Sequence, residues 1–290
     1  MWLKCRYFSY YCYFCAKHDP MKTNNFIKIP LIICLLISYF SVSSQNYGSM
    51  TYSDAINMSG KQRMLSQKIS KVYMMRLNGT PKEATDEEFK ASTRLFNKNL
   101  ISLDDNSKNS SDKTKGLIAE EKLQWEKFLS KFLLNPTDNV SKLLVLSNGL
   151  LDKCKAVVTG IENDGSSASG DAHKLKTINT SGKQRMLSQR LSLYYLASKL
   201  NAGKPQLAST QGELKRIYAE MQKSFASLSA NSLNNDEINK NFEILKNEFS
   251  LITGNMSGFE NQSIDADKIL SFSNKVTSTY NTITGIYAKL

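Results

Sequence analysis

From about residue 52 onward, apolar side chains recur every three to four positions in stretches of roughly 20–25 residues separated by short polar turns. No stretch alternates with the period of two that a half-buried strand requires. The first predicted helix runs from about Tyr52 to Leu77 and stops at Asn78-Gly79. A second follows Pro81; Glu83, Asp86, Glu87 and Glu88 sit near its start, where the helix dipole favours acids, and Phe89, Leu95, Phe96 and Leu100 are its candidate core residues. A third spans about Asp112 to Leu134 with Leu117, Ile118, Leu123, Trp125, Phe128 and Phe132, and is broken by Asn135-Pro136. The fourth runs from Asp138 through Val140, Leu143, Leu144, Leu150 and Val157. The scheme then returns over about 172–201, 205–230, 234–254 and 264–289, with Gly203-Lys204-Pro205 standing where Gly79-Thr80-Pro81 stood. Helices of this length joined by short turns predict an all-α fold of two tandem up-down-up-down four-helix bundles.

The second set is a copy of the first. Residues 56–67 read INMSGKQRMLSQ and residues 178–189 read INTSGKQRMLSQ, with eleven of twelve positions identical at an offset of 122. An internal duplication is the reading, with one bundle over 45–163, a flexible linker over 164–170 rich in Gly and Ser, and a second bundle over 171–290.

On a helical wheel the repeated segment has two faces. Met58, Leu65, Ile69 and Val72 fall together, as do Thr180, Leu187, Leu191 and Tyr194; this face suits the core of its own bundle. Nearly opposite lie Asn57, Gly60, Arg63, Met64 and Gln67, flanked by Ile56 and Met74, and in the second copy Asn179, Gly182, Arg185, Met186 and Gln189, flanked by Ile178 and Leu196. A solvated face has no use for those apolar residues, so this stripe is expected to pack on something. Glycine inside a helix costs about 1 kcal/mol relative to alanine. Gly60 and Gly182 therefore point to the close approach of another backbone or of a ligand. Arg63 and Arg185, one turn on, carry a planar charged fork that matches small planar oxyanions. Lys61, Lys183, Lys68 and Arg190 add positive potential nearby. Two such helices meeting about a two-fold axis would make a small anion pocket. The alternative is that the arginines are surface or ion-paired residues and the glycines plain packing points.

Composition removes other classes. The 290 residues carry a net charge of +12 with 41% hydrophobic and 22% charged residues, which suits a globular protein and not a disordered or multi-span membrane one. The two histidines, His18 and His173, leave little basis for histidine catalysis or a multi-histidine metal site. Four of five cysteines lie in the first 34 residues, and Cys154 reads as a buried thiol. No Walker loop, nucleophile elbow or zincin helix appears. From Met21, a basic start (Lys22, Lys28), the apolar run Ile29–Phe40 and small residues before Gln45 read as a signal peptide over 21–44, shorter than the roughly 20 apolar residues of a spanning helix, with an uncleaved membrane anchor as the alternative; either way the chain is expected in the periplasm or outside the cell. Residues 1–20 fit no targeting pattern and read as an extension from an upstream mis-start. Removing residues 1–44 leaves +8 without a dense basic run, so nucleic acid is not expected as a partner.

The pattern I-N-x-S-G-K-Q-R-M-L-S-Q-[KR] resembles the opening helix of the periplasmic sensor domain shared by NarX-type nitrate/nitrite sensor kinases and PilJ-type methyl-accepting chemotaxis transducers of type IV pili, the latter more closely. The resemblance covers about 20–25 residues in each unit. It implies a four-helix bundle and, in the nitrate sensors, a ligand held between two opening helices across a dimer. By that resemblance Arg63 and Arg185 take the place of the anion-binding arginine, and Gly60-Lys61 and Gly182-Lys183 that of the adjoining backbone contact.

The expectation is an exported, non-catalytic sensor-like protein without a cofactor. A small anion of the nitrate/nitrite class would sit between the opening helices, paired within one chain as a pseudo-dimer or between chains as a homodimer. Its candidate contacts are Asn57, Gly60, Lys61, Arg63 and Gln67 with Asn179, Gly182, Lys183, Arg185 and Gln189. The competing expectation is a helical interaction module that docks on a pilus or envelope signalling protein and takes no small ligand.

Overall fold

The computed structural model describes residues 46–133 and 139–290. The mis-start extension, the signal peptide and the break at Asn135-Pro136 lie outside the described residues. A two-residue hairpin, β1 (Asn46–Tyr47) and β2 (Met50–Thr51), precedes the helices. The main helices are α1 (Tyr52–Leu77), α2 (Lys82–Asp105), α3 (Asp112–Leu133), α4 (Val140–Ser169), α5 (Ala172–Leu200), α6 (Leu207–Ser229), α7 (Asp236–Thr253), the short α8 (Met256–Glu260) and α9 (Ala266–Lys289). No described helix is long and apolar enough to cross a membrane.

The helix starts follow capping chemistry. Thr51 accepts from the Asp54 amide at α1, Asp171 from Lys174 at α5, Asn235 from Ile238 at α7 and Asp265 from Asp267 at α9. After α1 the chain turns through Gly79 at φ 92°, a left-handed conformation that favours glycine.

In the first repeat α1 packs on α2 and α4, and α4 on α3; in the second α5 packs on α6 and α9, and α9 on α7. The most extensive packing of all joins α1 to α5. Eighteen of the 26 residues of α1 and twenty of the 29 of α5 are buried, so both opening helices are enclosed on nearly every side. The described residues consequently form one compact unit with one continuous apolar core. Aromatic stacks fill both halves, Phe96 on Trp125 at 3.9 Å between centroids in the first, and Phe225 edge-on to Phe242 and Phe249 in the second.

Three sequence expectations need correction. The stretch 164–170 is not a flexible linker: α4 continues helically to Ser169 and only Gly170, at φ 70°, breaks it. The cause is packing. Gly165 is buried where a Cβ would lie 2.8 Å from the Tyr52 ring and 2.9 Å from Leu175, so the opening helices of both repeats press on it. Leu95 and Leu123 are exposed, not core. The inward stripe of α3 runs through Ile118, Glu121, Trp125 and Phe128, and Leu123 falls off it.

That stripe places a carboxylate in the core. Glu121 is fully buried beside the Cys154 thiol and the Gln62 amide, and neither oxygen accepts a hydrogen bond of good geometry. Burial pushes its carboxyl up to about 7. The folded state thus holds this proton more tightly than the unfolded chain does. The resulting stability is fully present below about pH 4.5 and is lost as pH rises through about 7. Glu121→Gln is expected to leave stability unchanged at pH 4 and to raise it at pH 8, by as much as about 3 kcal/mol. Chemical denaturation at the two pH values checks this; equal effects at both would overturn it.

Candidate functional site

The site forms where α1 crosses α5. At Gly60 a Cβ would lie 2.9 Å from Arg185 Nη2, 3.5 Å from Arg63 Nη2 and 3.9 Å from the Gly182 Cα. At Gly182 the corresponding arginine distances are 3.0 and 3.5 Å. The missing side chains therefore do two things: they bring the backbones together, and they leave room for both guanidinium tips over the crossing. The outward stripe of each repeat thus packs on its counterpart in the same chain.

The arginines exchange contacts about a pseudo-two-fold axis. Arg63 Nη2 donates to the Asn179 carbonyl at 3.1 Å, and Arg185 Nη2 to the Asn57 carbonyl, also at 3.1 Å. The symmetry ends there. Arg185 Nη1 also donates to the side-chain oxygens of Asn57 and Asn281, each at 2.9 Å. The Arg63 guanidinium has no hydrogen bond beyond the Asn179 carbonyl among the described residues, and the Asn179 side chain turns its amide nitrogen to Glu162. The Nε of both arginines is buried without a partner.

The charges are as unusual as the hydrogen bonds. Arg185 is fully buried and Arg63 is 4% exposed. Burial pushes Arg63 down to about 10, with the Cys154 thiol and Glu162 acting weakly in the opposite direction. It pushes Arg185 down to about 9, and the charge of Arg63 adds to that push. Both remain protonated at neutral pH. Among the described residues no carboxylate is bonded to either guanidinium, so two buried cations share the crossing. A buried charge is ordinarily paired. The arrangement is suited to receiving an anion.

The other candidate residues divide. Lys61 lies beside the crossing, its ammonium lowered by burial and by the charge of Arg185. Lys183 is ion-paired to Glu220. Gln67 donates to Ser147 Oγ at 3.1 Å and accepts from Arg190, and Gln189 donates to Thr277 and Asn274; both lie one turn from the arginines and tie the opening helices to α4 and α9. Lys68 pairs with Glu88, and Arg190 with Glu213. The residues that sequence reasoning missed come from those fourth helices: Asn281 on α9 and Glu162 on α4. A signal for that pairing exists, since Ser147-Asn148 and Thr159-Gly160-Ile161 on α4 return as Ser273-Asn274 and Thr284-Gly285-Ile286 on α9.

Beside Arg63 the crossing opens into a cleft of about 480 Å³ between α4, α5 and α6.

The family model for the type IV pili methyl-accepting chemotaxis transducer N-terminal domain, PilJ, matches residues 48–133 and 166–279, one segment in each repeat. The chain belongs to the PilJ family. PilJ domains are sensory modules of signalling transducers, a role to which the helical bundles here correspond. No curated protein and no solved structure matches the chain. Within the PilJ frame this chain carries two copies, and their opening helices meet inside a single polypeptide.

Proposed function

We propose that this PilJ-family chain is an exported, non-catalytic sensor that binds a small oxyanion of the nitrate/nitrite class at the α1–α5 crossing. One observation carries the reading: Arg63 and Arg185 bring two buried guanidinium groups over Gly60 and Gly182, and among the described residues no carboxylate is bonded to either. A planar oxyanion offers the in-plane acceptors that a guanidinium fork matches, and it would neutralise the repulsion between the two cations. Its occupation would draw the helices of the two repeats onto one charge, a means of coupling a bound ion to bundle geometry. The signal segment over 21–44 supports a periplasmic or extracellular location, where the partner would be an envelope signalling protein.

Anything that binds the folded state alone raises its melting temperature with concentration. Nitrate or nitrite at 10–100 mM, on the order of many times a micromolar-to-millimolar dissociation constant, is expected to raise Tm by several degrees above chloride at equal ionic strength. The Arg63→Ala, Arg185→Ala double variant is expected to respond equally to all three salts. Identical melting of the wild type in nitrate, nitrite and chloride would remove the proposal.

A further inference from the structure

The duplicated halves are no longer equivalent at the places where an anion would enter. Two clefts flank the α1–α5 crossing, related by the pseudo-two-fold axis. One lies between α4, α5 and α6, with a volume of about 480 Å³; Met186, Leu187 and Arg190 form part of its wall. The other lies between α1, α2 and α9, with a volume of about 520 Å³, and has the counterparts Met64, Leu65 and Lys68. Their sizes match and their chemistry does not. The second cleft carries one cation, Lys68, and one carboxylate, Glu88, paired at 3.4 Å, and neither arginine of the crossing lines it. Asn281 stands in its wall and accepts from Arg185, closing that arginine in. The first cleft is lined by Arg63, Lys155, Lys176, Lys183, Arg190 and Arg216, against two carboxylates, Glu162 and Glu220.

Those carboxylates are already engaged. Glu220 pairs with Lys183 and Arg216, and Glu162 accepts from Asn179. Glu213, just behind the wall, holds Arg190 at 2.8 Å and Arg216 at 2.7 Å, which fixes both guanidinium groups. Burial pushes the Glu213 carboxyl up, but the hydrogen bonds and charges of those two arginines outweigh it and hold it down to about 2. Lys176 on the rim has no ion pair among the described residues, and Lys155 reaches only Asp152, one turn away on its own helix. At the inner end stands Arg63, all but buried, with its Nε unpartnered. Pockets for small molecules run to about 300–1,000 Å³, so this cleft is far larger than a single nitrate needs.

We propose that the α4–α5–α6 cleft binds a small organic molecule carrying two or more oxyanion groups, one per chain, with one group on Arg63 at the inner end and another on the rim cations Lys155 and Lys176. Arg185, whose Nη1 and Nη2 are held by Asn57 and Asn281, is the lock of the crossing; it does not line the cleft and acts on the ligand only through its charge beside Arg63. This deepens the oxyanion reading and rests on it for Arg63 alone. It explains why the two halves of a duplicated site diverged: a fused pair needs only one mouth, and the other is free to close.

The test is isothermal titration of the full chain with citrate, pyrophosphate and nitrate at matched ionic strength. Citrate or pyrophosphate is expected to bind with one site per chain, at least tenfold more tightly than nitrate. The Lys155→Glu, Lys176→Glu double variant alters exposed side chains and keeps the fold. It is expected to lose at least tenfold for the polyvalent probe while nitrate affinity stays within about twofold. Arg63→Gln is expected to weaken both, and thermal melting confirms that it remains folded. Nitrate binding without any gain for citrate or pyrophosphate, an unchanged affinity in the rim variant, or two sites per chain would overturn the cleft. Binding of the polyvalent probes with no nitrate response at any concentration would instead overturn the small-oxyanion reading and leave the cleft standing.

Discussion

Leucine in place of Gly60 or Gly182 will lower the melting temperature by roughly 6–12 °C. The reason lies in the crossing. Even a Cβ at Gly60 comes within 2.9 Å of Arg185 Nη2 and within 3.9 Å of the Gly182 Cα, so a full side chain must drive α1 from α5. Overpacking of this kind costs about 1–3 kcal/mol, occasionally more. Displacing Arg185 from Asn57 and Asn281 adds the loss of buried hydrogen bonds, about 1–3 kcal/mol for groups left unpaired. For a body of this size 1 kcal/mol corresponds to about 2–4 °C. The control is internal. Gly116, Gly212 and Gly285 lie within helices with nothing within 4 Å of an added Cβ, and alanine there should stabilise by about 0.5–1 kcal/mol. Differential scanning fluorimetry of the five variants gives the ranking. Leucine at Gly60 tolerated as well as alanine at Gly212 would mean that α1 and α5 do not approach as described.

The two arginines will respond in opposite directions when their charge is removed. Arg63→Met is expected to raise the melting temperature in the absence of added anion, because it deletes a buried cation that holds a single hydrogen bond and repels Arg185. Replacing buried charge by a well-packed apolar group is neutral or stabilising by about 1–4 kcal/mol. Arg185→Met is expected to lower it by about 2 kcal/mol, because the side-chain oxygens of Asn57 and Asn281 lose their donor inside the protein. Thermal melts in low-salt buffer read both. A destabilised Arg63→Met or a stabilised Arg185→Met would show that the partners of the two arginines are not divided as described. A gain in stability on removing Arg63 would also identify the residue as one kept for binding at the expense of the fold.

The comparison of sequence and fold is informative at particular places. The helix boundaries follow from local chemistry: Asn78-Gly79 ends α1, Asp171 caps α5, and the three-to-four period marks Phe89, Phe96 and Leu100 as inward. The outward stripe was legible because it appears twice, and because a helical glycine beside an arginine has a cost that only packing or binding offsets. Leu95 and Leu123 misled, since hydrophobicity alone does not say on which side of a helix a residue falls, and Glu121 took the inward position that Leu123 missed. The run 164–170 misled for a different reason. Its glycine and serine content favours a linker, but Gly165 is small so that Tyr52 and Leu175 can reach it. Composition cannot separate a glycine used for freedom from one used for closeness.

The sequence by itself determined the all-α class, the duplication, the approximate ends of each helix and the identity of the paired Gly and Arg stripe. Each of these depends on neighbours within one or two helical turns, or on comparison of the chain with itself. The tertiary structure alone decided that the repeats merge into one body through α1 and α5, that Arg185 is enclosed by Asn57 and Asn281 while Arg63 opens onto a basic cleft, and that a carboxylate sits in the first core. Those outcomes depend on partners roughly a hundred residues apart, such as Arg63 with Asn179 and Arg185 with Asn281. A duplicated sequence presents its two halves as equals, and only the packing of their fourth helices shows which half keeps the open mouth.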